Sequence, residues 1–267
     1  MKTYKVCFFM PFYKREEVTC MAMWSLRRAM DKFAKAGHDP VAIVVGNEEG
    51  PGKYAESLGM TWLKHENKPL GKKMCFCVNK ALATGAKYLV KVDSNNAYSD
   101  EYIDKCVDAL QENYTYFGTK HFLVAQKDPE EERTVIFRCR NRKGVCGTMQ
   151  FFGRRALLQA TKGIENVWPH DAESRFDSKI SKAFIDRWGE RLAAIISEDP
   201  FDCVDVKSDT DMHPFTNYAL NNPHPSAANG PNRMVVPSMF EAVRLLDEGY
   251  FAEALDKISA QEDEPSE

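Results

Sequence analysis

The chain is without any run of about 18 apolar residues, so nothing in it reads as a membrane span. It lacks an excess of positive charge: the formal net charge is −3 over 267 residues, which excludes a global basic field for nucleic acid or an anionic membrane and leaves only local patches open. It has no Cys-x-x-Cys pair. Its eight cysteines are Cys7, Cys20, Cys75, Cys77, Cys106, Cys139, Cys146 and Cys203, and the two-residue step from Cys75 to Cys77 is not a zinc-ligand spacing. Most stand in apolar runs such as Val6-Cys-Phe-Phe9 and read as small buried hydrophobes of a reducing compartment. A bridge between Cys139 and Cys146 across a hairpin is the alternative. No internal repeat is present. The run Val6–Phe12 lacks a small-residue cleavage site and leads into Tyr-Lys-Arg-Glu-Glu, so it reads as a first strand rather than a signal peptide, and the protein as cytoplasmic.

What is present is ordinary for a folded α/β domain: 43% apolar and 28% charged residues, in a length that buries a core without disulfides or metal staples. Tyr4–Met10 is an aromatic-rich strand ended by Pro11. Helical spacing follows from Glu16 to Ala36 and stops at Gly37. Val41–Val45 is a second buried strand, Gly50-Pro51-Gly52 reads as a turn, and Thr61–Leu63 as a short third strand. Leu70 to Thr84 is a helix with Met74, Val78, Ala81 and Leu82 on one face. Tyr88–Val92 is a strand that stops at Asp93, and Ser99 caps the next helix. The alternation predicts a mostly parallel sheet covered on both faces.

The second half changes character. Tyr116–Gln126 and Thr134–Cys139 read as strands. Asn141-Arg-Lys-Gly144 is a turn and Val145–Phe152 a returning strand, which makes 134–152 a hairpin. Helices are expected at about 154–161 and 172–188, and a strand at Phe201–Val206. Residues 1–220 form the predicted main domain. Residues 221–260 hold an Asn/Pro/Ser/Gly-rich linker and a helical segment from Pro237 to about Ser259, and 261–267 are an acidic, disordered tail.

Ligands of open α/β sheets bind beyond the carboxyl ends of the strands. Three predicted strands end in polar residues: Pro11-Phe-Tyr-Lys-Arg15, Gly46-Asn47-Glu48-Glu49 and Asp93-Ser-Asn-Asn96. Together they offer aromatic and amide groups to a base and cations to phosphates.

Two of these segments resemble a known group. Phe9-Met-Pro-Phe-Tyr-Lys-Arg15 is similar to the opening of family 2 glycosyltransferases, where a strand runs into a Pro-x-Tyr-Asn-Arg-like turn. Gly71-Lys-Lys-Met-Cys-Phe-Cys-Val-Asn79 and the following residues up to Asp93 are similar to that family's helix and the strand entering its Asp-x-Asp motif. The resemblance covers roughly residues 4–215. It implies a GT-A (Rossmann-like) α/β fold with a mostly parallel sheet flanked by helices, here with a helical C-terminal extension. It also implies sugar transfer from a nucleoside-diphosphate sugar such as a UDP-sugar, inverting and assisted by Mn²⁺ or Mg²⁺.

Carried over residue by residue, the resemblance implies donor contacts from Pro11, Phe12, Tyr13, Arg15, Asn47, Lys72, Asn79, Asp93, Ser94, Asn95 and Lys207. Lys73 is the second candidate for the basic position, and Trp62 a further aromatic near the base. Metal ligands would be Asp93, Asn95 and His213. The chain departs from the family where Asn95 replaces the second aspartate, which removes one charge from the metal site. The catalytic base would be Asp171, with Glu173 as substitute, in Trp168-Pro-His-Asp171-Ala-Glu173. Ordinary helix capping explains the same two residues, with Asp171 at the N-cap and Glu173 in the first turn. Turn chemistry likewise explains Asp93 and Asn95.

Arg138, Arg140, Arg142 and Lys143 crowd one predicted turn. They read as a solvated turn or as a grip on a polyanionic acceptor such as DNA, whose acceptor group would be a hydroxymethylated or already glycosylated base; a glycan or small molecule is the other acceptor class. Two other functions stay open. A nucleotidyltransferase would carry a Gly-rich loop after strand one, where this chain has Pro-Phe-Tyr-Lys-Arg. A non-catalytic nucleotide-sugar-binding domain is compatible with Asn95.

Overall fold

A computed structural model describes residues 2–127, 134–140, 145–172, 176–189, 194–198, 202–207 and 234–236. The strands and helices follow the apolar pattern. β1 (Lys5–Pro11) leads into α1 (Glu16–Lys35), β2 (Asp39–Val45), α2 (Glu49–Ser57) and β3 (Thr61–Leu63). Then come α3 (Leu70–Ala83), β4 (Tyr88–Lys91), β5 (Asn96–Tyr98) and α4 (Asp100–Gln111). β6 (Tyr116–Thr119), β7 (His121–Lys127), β8 (Thr134–Arg140) and β9 (Gln150–Gly153) follow. α5 (Arg154–Thr161), α6 (Ile164–Val167), α7 (Phe176–Trp188), β10 (Ala194–Ser197), β11 (Cys203–Lys207) and β12 (Met234–Val236) complete the described elements.

Seven strands form the main sheet in the order β10-β6-β9-β4-β1-β2-β3. β3, β2, β1 and β4 are mutually parallel, β9 runs antiparallel between β4 and β6, and β10 is parallel to β6. This is the mostly parallel α/β sheet, covered by helices on both faces, that the sequence pattern predicts. Alternation along each strand splits the core in two. Val6, Phe8, Met10, Val44, Val90 and Phe151 pack under α1 and α4. Cys7, Phe9, Val45, Leu89 and Phe152 pack under α3, α5 and α7. A strand hydrophobic on both faces can only sit between two helical layers. Ser99 caps α4 as expected, its hydroxyl accepting from the Tyr102 amide at 3.0 Å.

A second sheet has the order β12-β8-β7-β11-β5, and here several expectations are corrected. The single strand expected at Tyr116–Gln126 is two strands in two sheets. The chain breaks at Lys120, whose amide is taken by the Ser197 carbonyl at 3.1 Å. The hairpin expected over 134–152 does not form: β8 pairs with β7 and β12, whereas β9 enters the main sheet. Phe151 and Phe152 account for this, because they are apolar on opposite faces and need a layer on each side. The expected loop over 221–236 includes strand β12.

Gly50-Pro51-Gly52 is not a turn but the first part of α2. Proline is tolerated in a first helical turn, where its missing N–H has no intrahelical role. A Cβ on Gly52 would stand 2.1 Å from the Trp62 indole, so the glycine admits that ring. The helix expected from 172 starts at Phe176, after the short α6. The helical extension over 237–259 and the acidic tail lie outside the described residues. No described helix is long and apolar enough to cross a membrane.

Gly71, in the first turn of α3, sets how closely the later chain approaches this layer. Its amide donates to the Ala172 carbonyl at 2.8 Å, and an added Cβ would meet the Pro169 carbonyl oxygen at 1.7 Å. Gly71→Ala therefore has to displace backbone, a cost of about 1–3 kcal/mol that outweighs the gain in helix propensity. A lowered urea midpoint is the expected result; an unchanged one would mean that the 168–172 turn moves away without penalty.

Candidate functional site

The parallel strands end at one edge of the main sheet, and the polar residues that follow them meet there. After β1 the backbone turns sharply. Lys14 and Arg15 both take left-handed conformations, with φ of 53° and 55°. For non-glycine residues each costs on the order of 1 kcal/mol, so other contacts must hold them. Arg15 extends to the loop after β4, where its Nη2 donates to Ser94 Oγ at 3.1 Å. Lys14 donates its amide to Glu48 Oε1 at 3.0 Å, beyond β2. One short turn is thus tied to both neighbouring loops.

A buried polar knot supports this turn from below. Lys73, only 1% exposed, donates its ammonium to the Phe12 carbonyl and, at 2.6 Å, to Asn67 Oδ1. The Asn67 amide donates in turn to Asn47 Oδ1 and, at 3.2 Å, to Glu48 Oε1. Burial pushes the Lys73 ammonium down to about 8, against the opposing pull of the Glu48 carboxylate. Of the two lysines considered from the sequence, Lys72 is exposed and Lys73 turns inward. Helical phase carries that signal: Lys73, Cys77 and Ala81 share the apolar side of α3. Asn79 lies on the exposed face of the same helix and is not part of the knot. Asn67 and Glu48 are the partners that motif reading passed over.

The aromatic residues divide. Phe12 is corrected from base platform to core residue, since it is 1% exposed with its ring packed on Gly46. Tyr13 is exposed, with the Lys14 ammonium 5.1 Å from its ring centre. Pro11 is half-buried. Trp62 is part-buried and donates its indole N–H to the Gly46 carbonyl at 3.0 Å.

At the end of β4, Lys91 and Asp93 form an ion pair at 2.5 Å, with side chains 5% and 31% exposed. The Lys91 ammonium also donates to the Gly147 carbonyl at 2.9 Å. Asn95 is buried, and its amide donates to Asp205 Oδ1 and to the Val206 carbonyl on β11. This bears on a divalent ion, which needs several hard oxygen ligands. Asp93 Oδ1 faces an ammonium, and Asn95 is turned towards β11. No group of three His, Cys, Asp or Glu side chains that could hold a metal stands among the described residues. As arranged, these residues do not fit such an ion. His213 lies outside the described residues, and of Lys207 only the backbone, in β11, is described.

Asp171 lies exposed in the turn that follows α6, and α7 is described from Phe176 on. That turn rests on the first turn of α3 through Gly71. In a right-handed β-α-β unit the helix N-terminus sits at the carboxyl edge of the sheet. Asp171 therefore comes to the same edge as Asp93. His170 faces Glu165 at 3.4 Å, both exposed. Glu173, Arg142 and Lys143 lie outside the described residues. Arg138 and Arg140 are described only as backbone positions of β8.

No protein-family model and no curated protein matches the chain. Among solved structures it is similar to glucosyl-3-phosphoglycerate synthase from Mycobacterium tuberculosis, crystallised with Mg²⁺ and uridine diphosphate. The identity is 14%, over 72% of this chain and 68% of that one, with a TM-score of 0.43.

The depressed ammonium makes a pH prediction. Between about pH 8 and the usual lysine value of 10.5, the folded state has lost the Lys73 proton and the unfolded state still binds it. Unfolding then takes up protons, so this group's contribution to stability rises with pH in that window, by up to about 3 kcal/mol. Buried thiols such as Cys7, raised to about 11, act in the opposite direction above pH 9. Comparison with Lys73→Met isolates the lysine. Urea unfolding from pH 7 to 10.5 should show a more positive slope for the parent than for the variant; parallel curves would mean that Lys73 titrates normally.

Proposed function

We propose that this protein is a glycosyltransferase, which moves a sugar from a nucleoside-diphosphate sugar to an acceptor hydroxyl. The observation that carries this reading is the Arg15–Ser94 hydrogen bond. It joins the two segments that resemble family 2 glycosyltransferases, 79 positions apart in the chain, at one sheet edge. The loops that carry residues 13–15, 47 and 93–95 follow the carboxyl ends of their strands, the edge where α/β sheets receive nucleotides.

In this reading Asn47 and Tyr13 meet the base, and Arg15 meets the diphosphate as a planar, permanently charged donor. The bond between the anomeric carbon and the phosphate oxygen breaks, and the diphosphate leaves with the electron pair. The acceptor oxygen attacks the opposite face, so configuration inverts. Its proton passes to a carboxylate, for which Asp171 is the proposed base and Glu173 the substitute. Lys207 is a further proposed contact to the leaving group. The acceptor class is left to experiment, with glycans, small alcohols and hydroxymethylated DNA as the arms.

Incubation with a panel of UDP- and GDP-sugars should release the nucleoside diphosphate slowly, by hydrolysis, and faster with the correct acceptor. Absence of both binding and release across the panel would remove the proposal. Formation of pyrophosphate from a sugar phosphate and a nucleoside triphosphate would replace it with nucleotidyl transfer. Asp171→Asn should keep donor affinity and lower transfer by about 10²–10⁴-fold; unchanged transfer would exclude Asp171 as the base.

A further inference from the structure

We propose that Lys91 takes the place of a metal ion at Asp93, so that the donor diphosphate binds without a divalent cation. The inference rests on reading this edge as the nucleotide-sugar site. Lys91 comes from the last position of β4, and its ammonium stands 2.5 Å from Asp93 Oδ1 on a side chain that is 5% exposed. The Gly147 carbonyl, 2.9 Å away, accepts a second hydrogen bond from the same ammonium. Lys91 lies in an inner strand, in register with Gln150 of β9, and its buried side chain is held by both partners.

Charge balance gives the arrangement its meaning. Two carboxylates with one divalent ion sum to zero. Here one carboxylate position is the neutral Asn95, and one lysine balances the carboxylate that is left. Among the described residues, Arg15 on Ser94 brings a second cation to the same loop, and Asp205 accepts from Asn95. An ion placed at Asp93 Oδ1 would meet a fixed ammonium within contact distance, and that repulsion is strong in a partly buried site.

Lys91 is a positioning residue in this account. It sets the charge and orientation of Asp93 and does not attack or transfer anything. Its removal should therefore change the type of site and not only weaken it. Lys91→Met takes the ammonium away from the Asp93 carboxylate, which then repels diphosphate more strongly in the absence of a cation and attracts one when it is supplied.

Binding of UDP and GDP is measured by calorimetry in excess EDTA and again in excess Mg²⁺. For the unsubstituted protein the affinity of the nucleotide that binds is expected to agree within about twofold between the two conditions. For Lys91→Met it is expected to fall at least about tenfold in EDTA, since a charge-assisted arrangement is lost, and to recover when Mg²⁺ is added. A gain of Mg²⁺ dependence is a result that mere loss of packing does not produce. Thermal melting of the variant checks that it folds, and the EDTA comparison on the unsubstituted protein stands without any variant. Binding that requires Mg²⁺ in the unsubstituted protein overturns the inference, as does a Lys91→Met affinity in EDTA equal to that of the parent. Failure of both nucleotides to bind under every condition overturns the functional reading itself, which separates the two.

Discussion

Burial of β1 on both faces and along both edges is the constraint on which the rest of the molecule depends. β2 and β4 take its hydrogen bonds, and the two helical layers take its side chains. A strand so enclosed has to end where water begins, and its parallel neighbours end with it. That places the polar loops after β1, β2 and β4 side by side. The same enclosure leaves the Phe12 carbonyl inside the protein, where an unpaired acceptor would cost free energy. Lys73 meets that need from α3 and accepts a depressed basicity in doing so.

The site is held by tethers between loops and not by any one motif. Arg15 secures the first loop to the third, and Lys14 with Asn67 secures the first two to each other through Glu48. These bonds compensate for two successive left-handed residues, a conformation that a free turn of this sequence would abandon. Asn95 and Asp205 attach the edge to the second sheet. The loops after β1, β2 and β4 are therefore held to one another and to the second sheet. The turn carrying Asp171 rests on the first turn of α3, the helix whose Lys73 also supports the loop after β1.

Where sequence pattern and structure part company, the cause is pairing over long distance. β8 and β9 are close in the chain and read as a hairpin, but the two-sided apolar character of Phe151 and Phe152 draws β9 between β4 and β6. Gly50 to Gly52 reads as a turn because glycine and proline punctuate local structure. The indole of Trp62, from the next strand, is what the glycine accommodates. Phe12 looks like an exposed aromatic near a strand end, yet Gly46, just after the neighbouring strand β2, leaves it a slot in the core.

The sequence by itself determined the α/β class, the order of the first four strands, the cap at Ser99 and the segments that gather at the carboxyl edge. These follow from local periodicity, capping and strand termination, which a chain carries in its own order. Only the tertiary structure decided which lysine of Lys72 and Lys73 enters the core and that Asn95 turns to Asp205. It alone decided that Asp93 stands against Lys91 and that Asp171 reaches the same edge through Gly71. Lys91 is held in place by Gly147, 56 positions further on, and the others likewise depend on a partner outside their own segment, under the rule that buried polar and charged groups must find one.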